Sequence, residues 1–141
     1  MTADANAIEA TLDSTLENVE VADEIALRMC ALAGLEEEDQ HKVEMAVHES
    51  MINAVRHGNK SDASKKVWLR FEIRDRRLEI HIRDEGTGFD ETQIPDPLAP
   101  ENLLKVSGRG IFLIRTFMDE FRIEHPNGST EVILIKRLNP N

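Results

Sequence analysis

The chain has 141 residues, enough for one ordinary domain whose core needs neither disulfides nor a structural metal. Hydrophobic residues make up 40% and aromatic residues only 4%, with no Tyr and a single Trp, so an aliphatic core of the soluble α/β kind is expected. A formal net charge of −10 argues against non-specific nucleic-acid binding, and leaves any anionic ligand to backbone amides, a metal ion or a few Arg and Lys side chains.

The start, Met1-Thr2-Ala3-Asp4, has no basic residues and no long apolar run, so no signal peptide is expected. No apolar segment approaches the ~20 residues that span a bilayer, and the protein reads as cytoplasmic. Ile8 to Thr15 alternates apolar and polar side chains at the period of a half-buried strand. From Leu16 to Leu32 the period becomes helical through Val21, Ile25, Ala26, Met29 and Leu32, and Gly34 stops the run. Cys30, the single cysteine, falls among these apolar residues as a structural thiol suited to a reducing compartment.

The acidic stretch from Glu36 to Asp39 suits the positive end of a helix dipole. The helix it opens is expected to reach His57, with Val43, Ala46, Val47, Met51, Ala54 and Val55 on its apolar face. Gly58-Asn59 closes it, and Lys60 to Lys65 reads as a loop. Val67 to Ile73 and Leu78 to Arg83 are strand-like and separated by Arg74-Asp75-Arg76-Arg77, a hairpin pattern. Phe89 to Ser107 carries Pro95, Pro97 and Pro100 and reads as a long loop, of a length usually tied to function. Ile111 to Met118 is an apolar helix expected to be buried on most sides and to end near Asp119. Strands at Glu120 to Glu124 and Thr130 to Lys136 follow, joined by Pro126-Asn127-Gly128, where Asn-Gly suits a tight hairpin. This order predicts an α+β two-layer sandwich in a single domain, a mixed, mostly antiparallel sheet with helices on one face.

Three polar groups stand out. Glu49 and Asn53 lie four apart on the second predicted helix, so their side chains share a face, and His57 continues that row. Asn53 there would hold Mg²⁺, which takes oxygen ligands while bridging to nucleotide phosphates, and Glu49 would orient or deprotonate an attacking hydroxyl. A solvated helix face accounts for the same pair. Asp84-Glu85-Gly86-Thr87-Gly88 follows a strand; its glycines permit close backbone approach to a flat ligand, and its carboxylate can accept from an exocyclic amine. A turn uses the same residues. Gly108-Arg109-Gly110 opens the apolar helix, where backbone N–H groups and the dipole favour phosphate, although flexible junctions are also built this way. There is no P-loop pattern.

Taken together and in this order, the three groups resemble the GHKL superfamily of histidine-kinase-like ATPases. Glu49 to Gly58 resembles its N box, Asp84 to Phe89 its first glycine box and Gly108 to Ile111 its second. Within it the chain looks like the bacterial anti-sigma-factor serine-protein kinases, on its length, the Glu-x-x-x-Asn-Ala-x-x-His-Gly string and Phe117-Met118-Asp119-Glu120, over residues 8 to 137. The resemblance implies Glu49 as catalytic base for a serine hydroxyl, Asn53 as Mg²⁺ ligand, Asp84 on adenine and residues 89 to 107 as an ATP lid. It further implies nucleotide contacts from His57, Gly86, Gly88, Ser107, Gly108, Arg109 and Gly110; which of Lys105, Ser107 and Arg109 reaches phosphate stays open, as does a purely structural role for His57. His41, His48, His81 and His125 lack metal-ligand spacing and read as surface or packing residues.

The function so implied is an ATP-binding anti-sigma factor that phosphorylates an anti-anti-sigma antagonist carrying the acceptor Ser/Thr, with ATP and Mg²⁺ as cofactors and a homodimeric state. Neither a nucleic-acid nor a membrane partner is expected. The alternative is a non-catalytic, ATP-dependent binding module of the same superfamily. A detached histidine-kinase catalytic domain fits less well, since the residues before the N box offer only a strand and one helix where a dimerisation helix with a phosphoacceptor His is needed.

Overall fold

The computed structural model describes residues 6–86, 110 and 112–138. Its strands are β1 (Ala7–Asp13), β2 (Lys66–Arg74), β3 (Arg77–Arg83), β4 (Glu120–Glu124) and β5 (Glu131–Arg137). They form one sheet in the order β1-β2-β3-β5-β4. Every neighbouring pair is antiparallel, so the mixed character expected of the sheet is not found among the described residues. Two helices, α1 (Glu17–Leu32) and α2 (Glu37–Asn53), pack on each other and, with a short helix over residues 112–117, cover one face.

The switch in apolar period places the buried side chains. At helical spacing, Val19, Ala22, Ala26, Met29 and Cys30 of α1 and Val43, Ala46, Val47 and Met51 of α2 face inward. At strand spacing, Val67, Leu69 and Phe71 of β2, Leu78, Ile80 and Ile82 of β3 and Leu134 of β5 meet them in one hydrophobic cluster. Acidic residues occupy the first turn of both helices, Glu17 and Glu20 in α1 and Glu37, Glu38 and Asp39 in α2, where they complement the helix dipole. Gly34, at φ +80°, turns the chain out of α1.

The opposite sheet face is charged. The Arg70 Nη1 group lies 2.9 Å from the Glu9 carboxylate, and His81 sits between Glu79 at 2.7 Å and Glu131 at 2.6 Å. The Arg83 guanidinium stacks 4.4 Å above the Trp68 ring. Ile133 and Ile135, opposite His81 and Glu79 in the register, are buried beneath this layer and lie outside the main cluster.

The hairpin expected between β2 and β3 is present, and two other features differ from expectation. The β2–β3 turn consists of Asp75 and Arg76 at φ 54° and 60°, the left-handed pair that matches the sheet twist, although neither residue is Gly. The β4–β5 connection is not a two-residue Asn-Gly hairpin. Its ladder starts at Glu124 opposite Glu131, and residues 125–130 form a longer loop with a 3₁₀ turn at Pro126–Gly128, because Thr130 bonds to the end of β3. The short helix is buried on one side only: Ile114 and Met118, one turn apart, enter the core, while Phe112 is 67% exposed and Arg115 and Thr116 face solvent.

Candidate nucleotide-binding site

The last inward turn of α2 carries Glu49 and Asn53 on one face, as the four-residue spacing requires. Glu49 is half-buried, and its carboxylate makes no hydrogen bond or ion pair with another described residue. Asn53 is only 7% exposed, and its amide is likewise not engaged by any other described residue. An amide withdrawn from bulk water and uncommitted within the fold has the chemistry to supply an oxygen ligand. Among the described residues no group of three His, Cys, Asp or Glu side chains is clustered for a metal.

His57 does not continue the row. Beyond Asn53 the chain widens into a π turn, Ala54–Gly58, closed by the Asn59 N–H donating to the Ala54 carbonyl at 2.8 Å. The wider turn breaks the four-residue phase, and His57 is exposed. Its nearer consequence is at Gly58, whose α-carbon lies under the carboxyl group of Asp84: a β-carbon there would overlap the Asp84 Cγ and Oδ2. The end of the helix motif and the end of β3 are thereby in direct contact.

Asp84 is 5% exposed. Its N–H donates to the Thr130 carbonyl at 3.0 Å, and the Thr130 N–H donates back to Oδ1 at 3.0 Å. Burial is the largest influence on the carboxyl and raises its pKa from 3.8 to about 6, against the lowering effects of the Thr130 and Gly86 N–H groups and the Lys65 charge. Gly86 stands at φ +72°, and a β-carbon on it would overlap the Gly128 carbonyl oxygen. Lys65 Nζ donates to the Gly86 carbonyl at 2.6 Å, and the Lys66 N–H donates to the Glu85 carboxylate.

Thus the structure brings Gly58 against Asp84, whose carboxyl also meets the Gly86 N–H, while Asn53 lies five residues before Gly58 on the same helical segment and Glu49 one turn further back. Gly110 is buried and helical. Gly88, Ser107, Gly108 and Arg109, with the predicted lid at residues 89–107 and Lys105, lie outside the described residues. Sequence reasoning missed three participants: Thr130, Lys65 and Asn59, a fully buried hub read only as a helix-closing residue. Nothing in their spacing marks them, since each acts through a contact with a distant segment. His48 pairs with Asp23 at 2.8 Å across the helices, and Cys30 is fully buried, its thiol pushed up to about 12 by desolvation first and then by the Glu44 and Asp39 charges.

A family model for the histidine kinase-like ATPase domain matches residues 12–136. The chain belongs to this family of ATP-using domains. Its relatives include the serine-protein kinase RsbW of Bacillus subtilis, 37% identical over 103 residues, which are 69% of this chain and 64% of that protein. The protein of the same name from Bacillus licheniformis is 36% identical over 112 residues, covering 75% and 69% respectively. The match to the first thus spans somewhat less than two thirds of that relative. Among solved structures, the RsbU and RsbW domains of a Mycobacterium tuberculosis protein align with a TM-score of 0.69 at 21% identity, over 94% of this chain and 32% of that one. The histidine kinase domain of an Erythrobacter litoralis blue-light activated kinase aligns at 0.59 and 19%, over 85% and 60%. Both share its fold.

Proposed function

We propose that this chain is a single ATP-binding domain that acts as an anti-sigma factor and serine-protein kinase, phosphorylating an anti-anti-sigma antagonist protein. The observation that carries the reading is the seating of the Asp84 carboxylate on Gly58, which joins the helix bearing Glu49 and Asn53 to the loop that would receive the adenine. The serine-protein kinase relatives support the choice of reaction.

In this reading Asp84 accepts a hydrogen bond from the adenine 6-amino group, and Gly86 lets the base lie against the backbone. Gly88 likewise lets the base approach closely, while Ser107, Gly108, Arg109 and Gly110 are assigned to the phosphates and His57 to a further nucleotide contact. Asn53 would hold Mg²⁺, which supplies charge neutralisation at the phosphate oxygens. Glu49 takes the proton from the acceptor serine hydroxyl as its oxygen bonds to the γ-phosphorus, and the bond to the bridging oxygen breaks to release ADP. Positioning and charge do most of the work in such a transfer.

The reading includes a cytoplasmic location and a homodimer. Exposed Ile8 on the edge strand β1 and exposed Leu16 and Val21 near the start of α1 offer apolar surface for the latter, which sedimentation of the purified protein would test. Among the described residues no helix is long and apolar enough to cross a membrane.

Glu49→Gln tests the chemistry. The variant is expected to bind ATP as the parent does and to transfer no label from γ-labelled ATP to a serine-containing antagonist. Undiminished transfer would remove Glu49 from its role, and ATP binding without transfer by the parent protein itself would leave only a binding module.

A further inference from the structure

Asn59 uses every polar group it has. It is 0% exposed. Its N–H closes the π turn on the Ala54 carbonyl, and its C=O accepts from the Asp62 N–H at 3.0 Å. The side-chain amide donates to Ser14 Oγ at 3.0 Å and to the Lys66 carbonyl at 2.9 Å, and its Oδ1 accepts from the Glu85 N–H at 2.9 Å. One buried side chain therefore ties the end of β1, the start of β2 and the peptide after Asp84 to the turn that follows Asn53.

The Glu85 N–H belongs to the peptide plane that begins at the Asp84 carbonyl. Holding it fixes the backbone on the carboxyl side of Asp84, while the Asp84 N–H and Oδ1 are held by Thr130. The Thr130 and Gly86 N–H groups meet the carboxyl itself and Gly58 lies against Oδ2, so the backbone that Asn59 fixes helps set where the carboxyl points. We propose that Asn59 is a positioning residue for nucleotide selection: by accepting from the Glu85 N–H it aims the Asp84 carboxylate at the 6-amino group of the bound purine.

The inference rests on the proposed role of Asp84, and the experiment separates the two. Binding of ATP is compared with binding of purine riboside triphosphate, which has hydrogen in place of the 6-amino group. The parent protein is expected to prefer ATP by about tenfold or more, the value of a hydrogen bond to a charged acceptor. Asn59→Ala is expected to bring the preference close to unity, whereas Asn59→Asp, which keeps an oxygen for the Glu85 N–H, retains it. A merely structural role would weaken both nucleotides in proportion and leave the ratio alone, which would overturn the proposal, as would Asn59→Asp losing the preference as fully as Asn59→Ala. No preference in the parent protein would instead overturn the reading of Asp84, and this assignment with it. Should Asn59→Ala fail to fold, hydrogen exchange on the nucleotide-free parent still decides: the Glu85 amide is expected to be protected, and rapid exchange there sinks the idea.

Discussion

Gly58 and Asp84, distant in sequence, meet so closely that the one has no room for a side chain while the other keeps its carboxyl group in place. Gly58 is therefore a spatial requirement of the site as well as a helix terminator. Gly58→Ala is expected to push Asp84 off its seat, costing about 1–3 kcal/mol of stability, the usual range for an overpacked site, and lowering ATP affinity at least about tenfold by loss of one charged hydrogen bond. Because the three atoms nearest such a β-carbon all belong to the Asp84 side chain, adding Asp84→Gly should restore much of the stability without restoring binding. Denaturant titration of the single and double variants reads this coupling, and strictly additive losses would contradict it.

The buried carboxyl of Asp84 also sets a pH dependence. Its folded pKa of about 6 lies above the ordinary 3.8, so the folded state binds the proton more tightly. Its contribution to stability is therefore most favourable below pH 3.8, declines as pH rises from there to about 6, and stays at its least favourable above that. Asp84→Asn should stabilise the nucleotide-free protein at pH 8 by up to about 3 kcal/mol, since each tenfold change in proton affinity is worth about 1.4 kcal/mol, while weakening ATP binding. Urea titrations at pH 5 and pH 8 would show the gap between parent and variant widening with pH; an equal gap at both would refute the account.

For Cys30 the expectation is chemical silence. A thiol with no exposure and a pKa near 12 presents almost no thiolate at neutral pH. Iodoacetamide should leave the native protein unmodified and label it fully in denaturant. Rapid labelling under native conditions would mean that α1 opens far more readily than its packing suggests.

The short helix after residue 110 offers a paired test of one-sided burial. Ile114→Ala should cost about 2–4 kcal/mol, since the side chain is wholly inside the core. Phe112→Ser, two positions away on the exposed side, should change stability by no more than about 0.5 kcal/mol. Thermal unfolding of the two variants distinguishes this geometry from the all-round burial that the apolar string suggests.

Most of the architecture was legible because the chain changes period cleanly. Ile8, Ala10 and Leu12 alternate, Ala22, Ala26 and Met29 do not, and each pattern found its element within a residue or two. Asn53 and Asp84 stood out in the sequence only through the order of the motifs and the family they resemble, since each alone reads as a helix face or a turn; the structure adds that both are buried at the end of a regular element. What stayed hidden depended on geometry that leaves no periodic trace. An α and a π turn can be written with the same side chains, so nothing in Ala54 to Gly58 announced that His57 would leave the row. Asn127-Gly128 carries the positive backbone angles that its residue types promise, yet the hairpin is longer because Thr130 is drawn to Asp84, a contact between segments no local pattern can foresee. Asn59 was invisible as a hub for the same reason.

The wide turn at Ala54–Gly58 makes the site a joint between two rulers. Up to Asn53, positions are counted by the regular helix; from Gly58 onward they are counted from the sheet, through Asp84 and Asn59. The extra backbone taken up by the turn absorbs the mismatch between the two scales. Removing one residue there would let the helix run on regularly and rotate Gly58 away from its seat, though every motif residue remained in the chain. The spacing between Asn53 and Gly58 is thus as much a part of the site as the side chains at either end.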